Sequence, residues 1–248
     1  MKRYKGDMHI HTVLSPCGSL EMSPKKILEE AARKRLDFIG IADHNSTKNC
    51  EVIKKLAGEY GLEVFCGAEI NTKEEVHCLA FFEKTEELQI FQTFIDNNLP
   101  DIKNKPEIFG HQVMVDANEN ILEEIEPLLI AALKAGITEV EKKAHELNGI
   151  FIPAHIDRVY NGLINQLGII PEDMQADAFE IYKTSDYQKF IQTHKPIIDQ
   201  ASIIKNSDAH HPEDIGEPFT WYFLKKLDFS HIKQALHGRN GNFVKQSN

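Results

Sequence analysis

Asp7-Met8-His9-Ile10-His11-Thr12-Val13-Leu14-Ser15-Pro16-Cys17-Gly18 is the stretch that decides the fold of this chain. Apolar and polar residues alternate up to His11, which predicts a β-strand that ends in a turn. Side chains two residues apart on a strand leave from the same face, so the imidazoles of His9 and His11 are placed to bind one metal ion. The alternative is a pair of exposed imidazoles on an edge strand, and the rest of the chain argues against it.

Short polar runs follow further strand-like segments, and they add to the first histidine pair. They contain Asp43, His44, Glu69, His77, His155, Asp208 and His210. One ion takes only about three to five protein ligands, so this surplus predicts two or three divalent metal ions (Zn, Mn or Fe) in one cluster. Two of these residues can be interpreted differently. His77 is alternatively a core histidine, and Asp43 is expected to orient a ligand rather than bind metal. Glu180 is expected either to support this site or to be solvated.

The order of strand-like and helical segments predicts an α/β fold. Strands are expected at residues 4–11, 37–42, 62–68, 76–82, 149–154, 177–182, 201–206 and 220–227, and helices at 25–34, 47–60, from 85 onward, 122–134, 137–147, 186–194 and 232–237. A doubly wound sheet would scatter the polar clusters, whereas a ring of strands brings their carboxyl ends together. We therefore predict a barrel.

The length of the chain and the lack of an internal linker predict a single domain over residues 1–248. Pro100, Pro106 and Gly110 interrupt any regular pattern between residues 97 and 120. That segment is predicted to be an irregular insertion.

Charge and cysteine content restrict the function classes. The net charge is −10, from 28 basic and 38 acidic residues, which argues against a long nucleic acid or an anionic membrane surface as a partner. The four cysteines form no CxxC motif, and no apolar segment is long enough to span a membrane. We expect a cytoplasmic protein, in which a small phosphorylated substrate would need local compensation of charge from metal ions or a few cations. The sequence makes no prediction of oligomeric state.

The ordered set of motifs resembles one family over most of the chain. His-x-His after the first strand, Asp-His after the second, Glu69 after the third, a later His and Asp-x-His near the end are similar to the PHP (polymerase and histidinol phosphatase) family of metal-dependent phosphoesterases. The resemblance implies a distorted (β/α)7 barrel with two or three metal ions at its mouth. It also implies hydrolysis of a phosphate ester of a small metabolite or nucleotide by a metal-activated hydroxide.

The resemblance further assigns the ligands. His9, His11, Glu69 and Asp208 would hold one ion, Glu69 would bridge to a second ion held by His77 and His155, and His44 and His210 would hold a third. Glu69 and Asp208 thereby become catalytic candidates. Two other readings stay open: an amidohydrolase-type C–N hydrolase, and a PHP domain with a non-catalytic metal-binding or regulatory role.

Two more residues complete the predicted site. Cys17 stands where relatives commonly carry His or Asp, and it is either a third-site ligand that favours zinc or an ordinary turn cysteine. Arg158 follows His155 closely, and it is either a clamp for the substrate phosphate or a salt-bridge residue.

Overall fold

The computed structural model describes residues 1–182, 192 and 201–247 of the chain. Eleven strands and seven α-helices lie in these ranges. The strands are β1 (Lys2–Ile10), β2 (Phe38–Ile41), β3 (Glu63–Asn71), β4 (His77–Phe82), β5 (Val113–Val115), β6 (Ile121–Glu124), β7 (Ile150–Pro153), β8 (Ala178–Glu180), β9 (Ser202–Ile204), β10 (Thr220–Leu224) and β11 (Phe243–Gln246). The helices are α1 (Pro24–Arg33), α2 (Cys50–Leu56), α3 (Thr85–Asn98), α4 (Pro106–Phe109), α5 (Ile137–Glu146), α6 (Leu163–Leu167) and α7 (Phe229–Leu236), with 3-10 turns at Ala57–Tyr60 and Pro212–Asp214.

Seven strands form one mixed sheet in the order β11-β10-β1-β2-β3-β4-β7. β1, β2 and β3 are parallel, whereas β4 is antiparallel to both β3 and β7. β8 and β9 form a separate parallel pair. The chain is thus an α/β domain with a curled mixed sheet, which confirms the predicted α/β class. The distorted (β/α)7 barrel stays a prediction.

The β8–β9 pair lies between the two sides of the curled sheet. The N–H of Ile156, just after β7, donates to the carbonyl of Glu180 at the end of β8 over 2.9 Å. On the other side, His11 N–H donates to the carbonyl of Ala209 over 3.0 Å. These bonds bring the residues that follow β1, β7, β8 and β9 to one end of the curled sheet, which we call the mouth.

Alternating side chains give the sheet two apolar faces. Phe38 belongs to one buried cluster, which also contains Phe81 and the α7 residue Ile232. Its neighbour Ile39 belongs to the other cluster, where it joins Ile27 of α1. This period of two is the pattern of a strand buried on both sides, and it matches the continuous apolar run at 37–42.

Residues 121–134 depart from the predicted helix. They form β6 and then irregular chain, because Pro127 lacks an amide hydrogen and disfavours helical geometry in the residue before it. The buried side-chain amide of Gln112 bonds the carbonyls of Ile125 and Pro127 and the N–H of Leu129 at 2.8–2.9 Å. A side chain thus replaces the helical hydrogen bonds there.

The remaining differences are smaller. The predicted insertion at 97–120 contains the end of α3, the short helix α4 and the strand β5. β11 was missing from the sequence prediction, and the helix predicted at 186–194 falls outside the described residues except for position 192. No helix in the described ranges has the length and apolar character needed to cross a membrane.

Candidate metal centre

Glu69 lies at the centre of the mouth and is 1% exposed. Its Oε1 is 2.9 Å from His77 Nδ1, 3.0 Å from His155 Nε2 and 3.3 Å from His9 Nε2. Its Oε2 is 2.9 Å from His44 Nδ1 and 3.5 Å from His11 Nε2. Burial alone would raise the pKa of this carboxyl, but the surrounding imidazoles hold it well below its usual range. An anion therefore sits at the meeting point of five histidines.

Two of these close atoms make no hydrogen bond. Glu69 Oε2 and His44 Nδ1 are 2.9 Å apart, yet both are buried without a hydrogen-bond partner. A buried polar atom without a partner is costly, and native structures rarely leave one. A cation shared between this carboxylate oxygen and this imidazole nitrogen would satisfy both atoms, so the donor set fits a metal ion.

The surroundings of His11 also indicate a metal ion. Ser15 Oγ donates to Asp43 Oδ1 over 2.7 Å, so it accepts from His11 Nδ1 at 2.9 Å. Burial and the nearby imidazoles of His210 and His44 lower the pKa of His11 well below its usual value, so the ring is neutral. Its Nε2 then carries a lone pair, which faces Asp208 Oδ1 at 3.1 Å. A cation between these two atoms would relieve the repulsion.

His9 shows how the free protein balances the same charges. Its Nε2 lies 3.3 Å from Asp208 Oδ1 and 3.3 Å from Glu69 Oε1, and its Nδ1 lies 3.0 Å from Glu180 Oε2. Burial would lower the pKa of His9, but these carboxylates raise it well above its ordinary value. The carboxylates thus require a positive charge at His9. Metal binding would replace that proton and release it to solvent.

The described residues contain three overlapping groups with metal-binding geometry. They are His9, His11, Glu69 and Asp208; His44, Glu69 and His77; and His11, His44 and His210. The first group is the predicted first ligand set. The second joins His77 to His44, whereas the resemblance pairs His77 with His155. His155 still contacts Glu69, and its Nδ1 is buried without a partner.

Cys17 lies at the outer edge of this cluster. Burial would raise the pKa of its thiol, but contacts with His44 and His210 lower it to about 6. The residue is nonetheless exposed, and it belongs to none of the three groups. The structure places Cys17 beside the third group, and its role as a ligand stays a prediction.

Arg158 reaches the cluster from the loop after β7. Its Nη1 donates to Asp208 Oδ2 over 2.8 Å, and its side chain is 41% exposed. The guanidinium also lies over the ring of Tyr182, 5.2 Å from the centroid. A cation at this position faces both a carboxylate of the site and solvent, as a phosphate clamp requires.

Two buried acids hold the histidines in place. Asp43 accepts from Thr12 N, Thr12 Oγ1 and Ser15 Oγ at 2.7–2.8 Å, and it thereby orients His11 through the serine. Glu180 accepts from His9 Nδ1 and from Asn206 Nδ2, the latter over 2.9 Å. Sequence reasoning left Glu180 undecided between support and solvation. The signal in the sequence is its position near the end of the strand predicted at 177–182.

Two residues of the same mouth have a strained backbone conformation. His155 has φ +30° and Asp208 has φ +52°, in the left-handed region that such residues rarely adopt. Strain of this kind persists where the surrounding structure fixes it, and it is common at functional sites. Both side chains are therefore held in position by the backbone.

The chain belongs to the PHP domain family, because the family model matches residues 7–156, which is more than half of its length. It is 22% identical to the uncharacterized protein YqxK of Bacillus subtilis over 274 residues, which cover 97% of this chain and 63% of YqxK. The chain thus spans about three fifths of that relative.

Solved structures share the fold. The lesion-specific endonuclease Q of Pyrococcus furiosus superposes with TM-score 0.70 at 21% identity, over 98% of this chain and 58% of the endonuclease. A two-domain protein from Bacteroides vulgatus, which contains a predicted PHP-like metal-dependent phosphoesterase, gives 0.57 at 15% identity over 98% and 65%. At these identities the likeness shows the fold.

The expectation that long nucleic acid is excluded as a partner is wrong. An endonuclease Q structure that matches with TM-score 0.71 holds a 27-mer duplex with an abasic lesion at its active site. The physical error lies in the use of a chain-wide sum. The net charge of −10 includes buried site carboxylates such as Glu69 and Glu180, which say nothing about the outer surface.

Proposed function

We propose that this chain is a metal-dependent phosphoesterase whose reaction takes place at a cluster of two or three divalent ions around Glu69. The observation that carries the proposal is the meeting of Glu69 with five histidines, in which Oε2 and His44 Nδ1 lack hydrogen-bond partners. Membership of the PHP family supports the same chemistry. The ions would be zinc, manganese or iron, since imidazole and carboxylate suit all three.

Bound ions would supply an acidic water as nucleophile and would neutralise the phosphate oxygens. The side chains of the protein would bind the ions and the substrate phosphate. His9, His11, Glu69 and Asp208 would hold one ion, while His44, His77, His155 and His210 would complete the cluster. Arg158 binds a phosphate oxygen and pairs with Asp208 until substrate arrives. We propose direct attack by water, with no covalent intermediate on the protein.

Glu69→Gln tests this proposal, with Glu63→Gln as its matched control. Both glutamates lie on β3, but Glu63 is exposed at the opposite end of the strand. The glutamine keeps the shape and removes the charge that all five imidazoles face. We expect the Glu69 variant to lose at least about 100-fold in turnover, because removing a direct ligand should exceed the 10- to 100-fold cost of losing a supporting residue. The Glu63 variant should retain wild-type activity.

The assay measures phosphate release and strand cleavage by protein loaded with Mn²⁺ or Zn²⁺. Its substrates are phosphomonoesters, nucleotides and an oligonucleotide with an abasic site. Activity on any of them that Glu69→Gln leaves unchanged would contradict the proposal. No turnover on any of them, with metal bound, would instead favour the non-catalytic reading. A panel of amides, hydrolysed with the same dependence on Glu69, would favour the amidohydrolase-type reading.

A further inference from the structure

The loop that joins β7 to α6 carries the most exposed apolar side chains near the site. Its sequence is Ala154-His155-Ile156-Asp157-Arg158-Val159-Tyr160-Asn161-Gly162. Val159 is 69% exposed and Tyr160 is 76% exposed. Within the described ranges, the Tyr160 ring has no hydrogen bond or ring contact. Single exposed apolar residues are ordinary, but two in succession beside an arginine of the site require a reason.

The loop is nevertheless fixed in shape. Asn161 adopts φ +60°, its carbonyl accepts from His77 N–H over 3.0 Å, and its side-chain amide donates to Glu75 O over 3.1 Å. A Cβ at Gly162 would lie 2.2 Å from the carbonyl oxygen of Arg158, so only glycine allows this turn. Val159 and Tyr160 are therefore presented on a rigid backbone, which lowers the entropy cost of binding a ligand on them.

The loop also joins the exposed ring to the charged groups of the site. Arg158, two residues before Tyr160, pairs with Asp208. His77, a neighbour of Glu69, donates to the residue directly after Tyr160. Val159 and Tyr160 follow Arg158 directly in the sequence, so a ligand whose phosphate contacts Arg158 would bind beside this loop. The group that complements an exposed aromatic ring is a flat one.

We infer that Tyr160, with Val159 beside it, is a stacking platform for an unpaired nucleobase attached to the phosphate that Arg158 binds. This inference rests on the proposed phosphoesterase function and deepens it: the substrate class becomes a nucleotide or a strand with an unstacked base, rather than a simple sugar phosphate. Stacking of a base on an aromatic side chain is sequence-tolerant, because every base has a π-face.

Calorimetry with two ligands that cannot be hydrolysed tests the platform. They are the phosphonate analogues of AMP and of ribose 5-phosphate, which differ only in the base, and both are titrated into Mn²⁺-loaded protein. We expect Tyr160→Ala to weaken binding of the AMP analogue at least about fivefold and to leave the ribose analogue within about twofold. Tyr160→Trp should restore the affinity and report the stacked base by quenching of its fluorescence.

Two further variants serve as controls. Arg158→Ala should weaken both analogues, because both carry the phosphate. Ile121→Ala removes another exposed apolar side chain, on β6, and should change neither. Failure of the AMP analogue to bind wild-type protein, or equal effects of Tyr160→Ala on both analogues, would overturn the inference. Hydrolysis of nucleotides with no dependence on Tyr160 would overturn the inference alone. Base-dependent binding without any hydrolysis would overturn only the proposed function.

Discussion

Among single residues, Glu69 has the environment that most needs an added cation. Glu69 Oε2 is buried 2.9 Å from His44 Nδ1, and neither atom has a hydrogen-bond partner. The proton that His9 holds in the free protein balances part of the charge. We therefore expect metal binding to weaken as the pH falls, because protons compete for the same nitrogen atoms.

Glu180 gives a prediction at this scale. Its carboxylate accepts from His9 Nδ1 at 3.0 Å and so aims His9 Nε2 at the cluster. Glu180→Gln retains an acceptor but removes the charge that makes the imidazole a stronger donor to metal. We expect metal affinity to fall about tenfold, measured by competition with a chelating dye, while the melting temperature stays close to wild type. Unchanged affinity would mean that Glu180 does not support the ligand.

Sequence alone could find the histidines and single out Asp43 as a residue that orients a ligand, but it could not find the hydrogen bonds through which Asp43 does so. His9 and His11 follow from the two-residue period of a strand, which is a local property. The hydrogen bonds that connect His11 through Ser15 to Asp43 depend on a turn that places the serine between the other two residues. No local pattern in the sequence encodes them. Likewise, the approach of His44 to His77 around Glu69 depends on the direction of β4.

Among the elements, the segment between α3 and α5 shows how a side chain can replace helical hydrogen bonds. Gln112 is fully buried and bonds three backbone groups of residues 125–129, while Asn45 binds the carbonyls of Leu129 and Ala131 at 2.6 and 2.8 Å. Asn45 lies one residue after His44. These bonds attach the segment to the mouth. Apolar spacing alone favoured a helix there, and the spacing does not reveal which amide takes the backbone bonds.

Gln112→Ala tests the attachment, with His111→Ala as its neighbour control. The Gln112 variant loses three hydrogen bonds and leaves their backbone partners unpaired. Exposed His111 pairs with exposed Glu124 and, among the described residues, with no other side chain. We expect the Gln112 variant to lose about 1–3 kcal/mol of unfolding free energy. Hydrogen exchange should become faster across residues 100–134, with metal content unchanged. Equal exchange in the two variants would show that Gln112 does not hold the segment.

At the scale of the whole molecule, the mouth combines strand ends of different polarity. Side chains from the carboxyl ends of β1, β2, β3 and β7 meet His77 from the amino end of β4. The sequence predicted convergence correctly from the recurring clusters. It could not predict that β4 runs in the opposite direction, because period and length are the same for either direction of a buried strand.

The number of metal ions per chain tests the central claim most directly. Protein purified after metal loading and exhaustive dialysis is analysed by elemental mass spectrometry, with anomalous diffraction from crystals to place each ion. We predict two or three ions per chain, all within the Glu69 cluster, and fewer in Glu69→Gln than in Glu63→Gln. Fewer than two ions in the fully loaded wild-type protein, or ions bound away from Glu69, would contradict a multinuclear centre at this mouth.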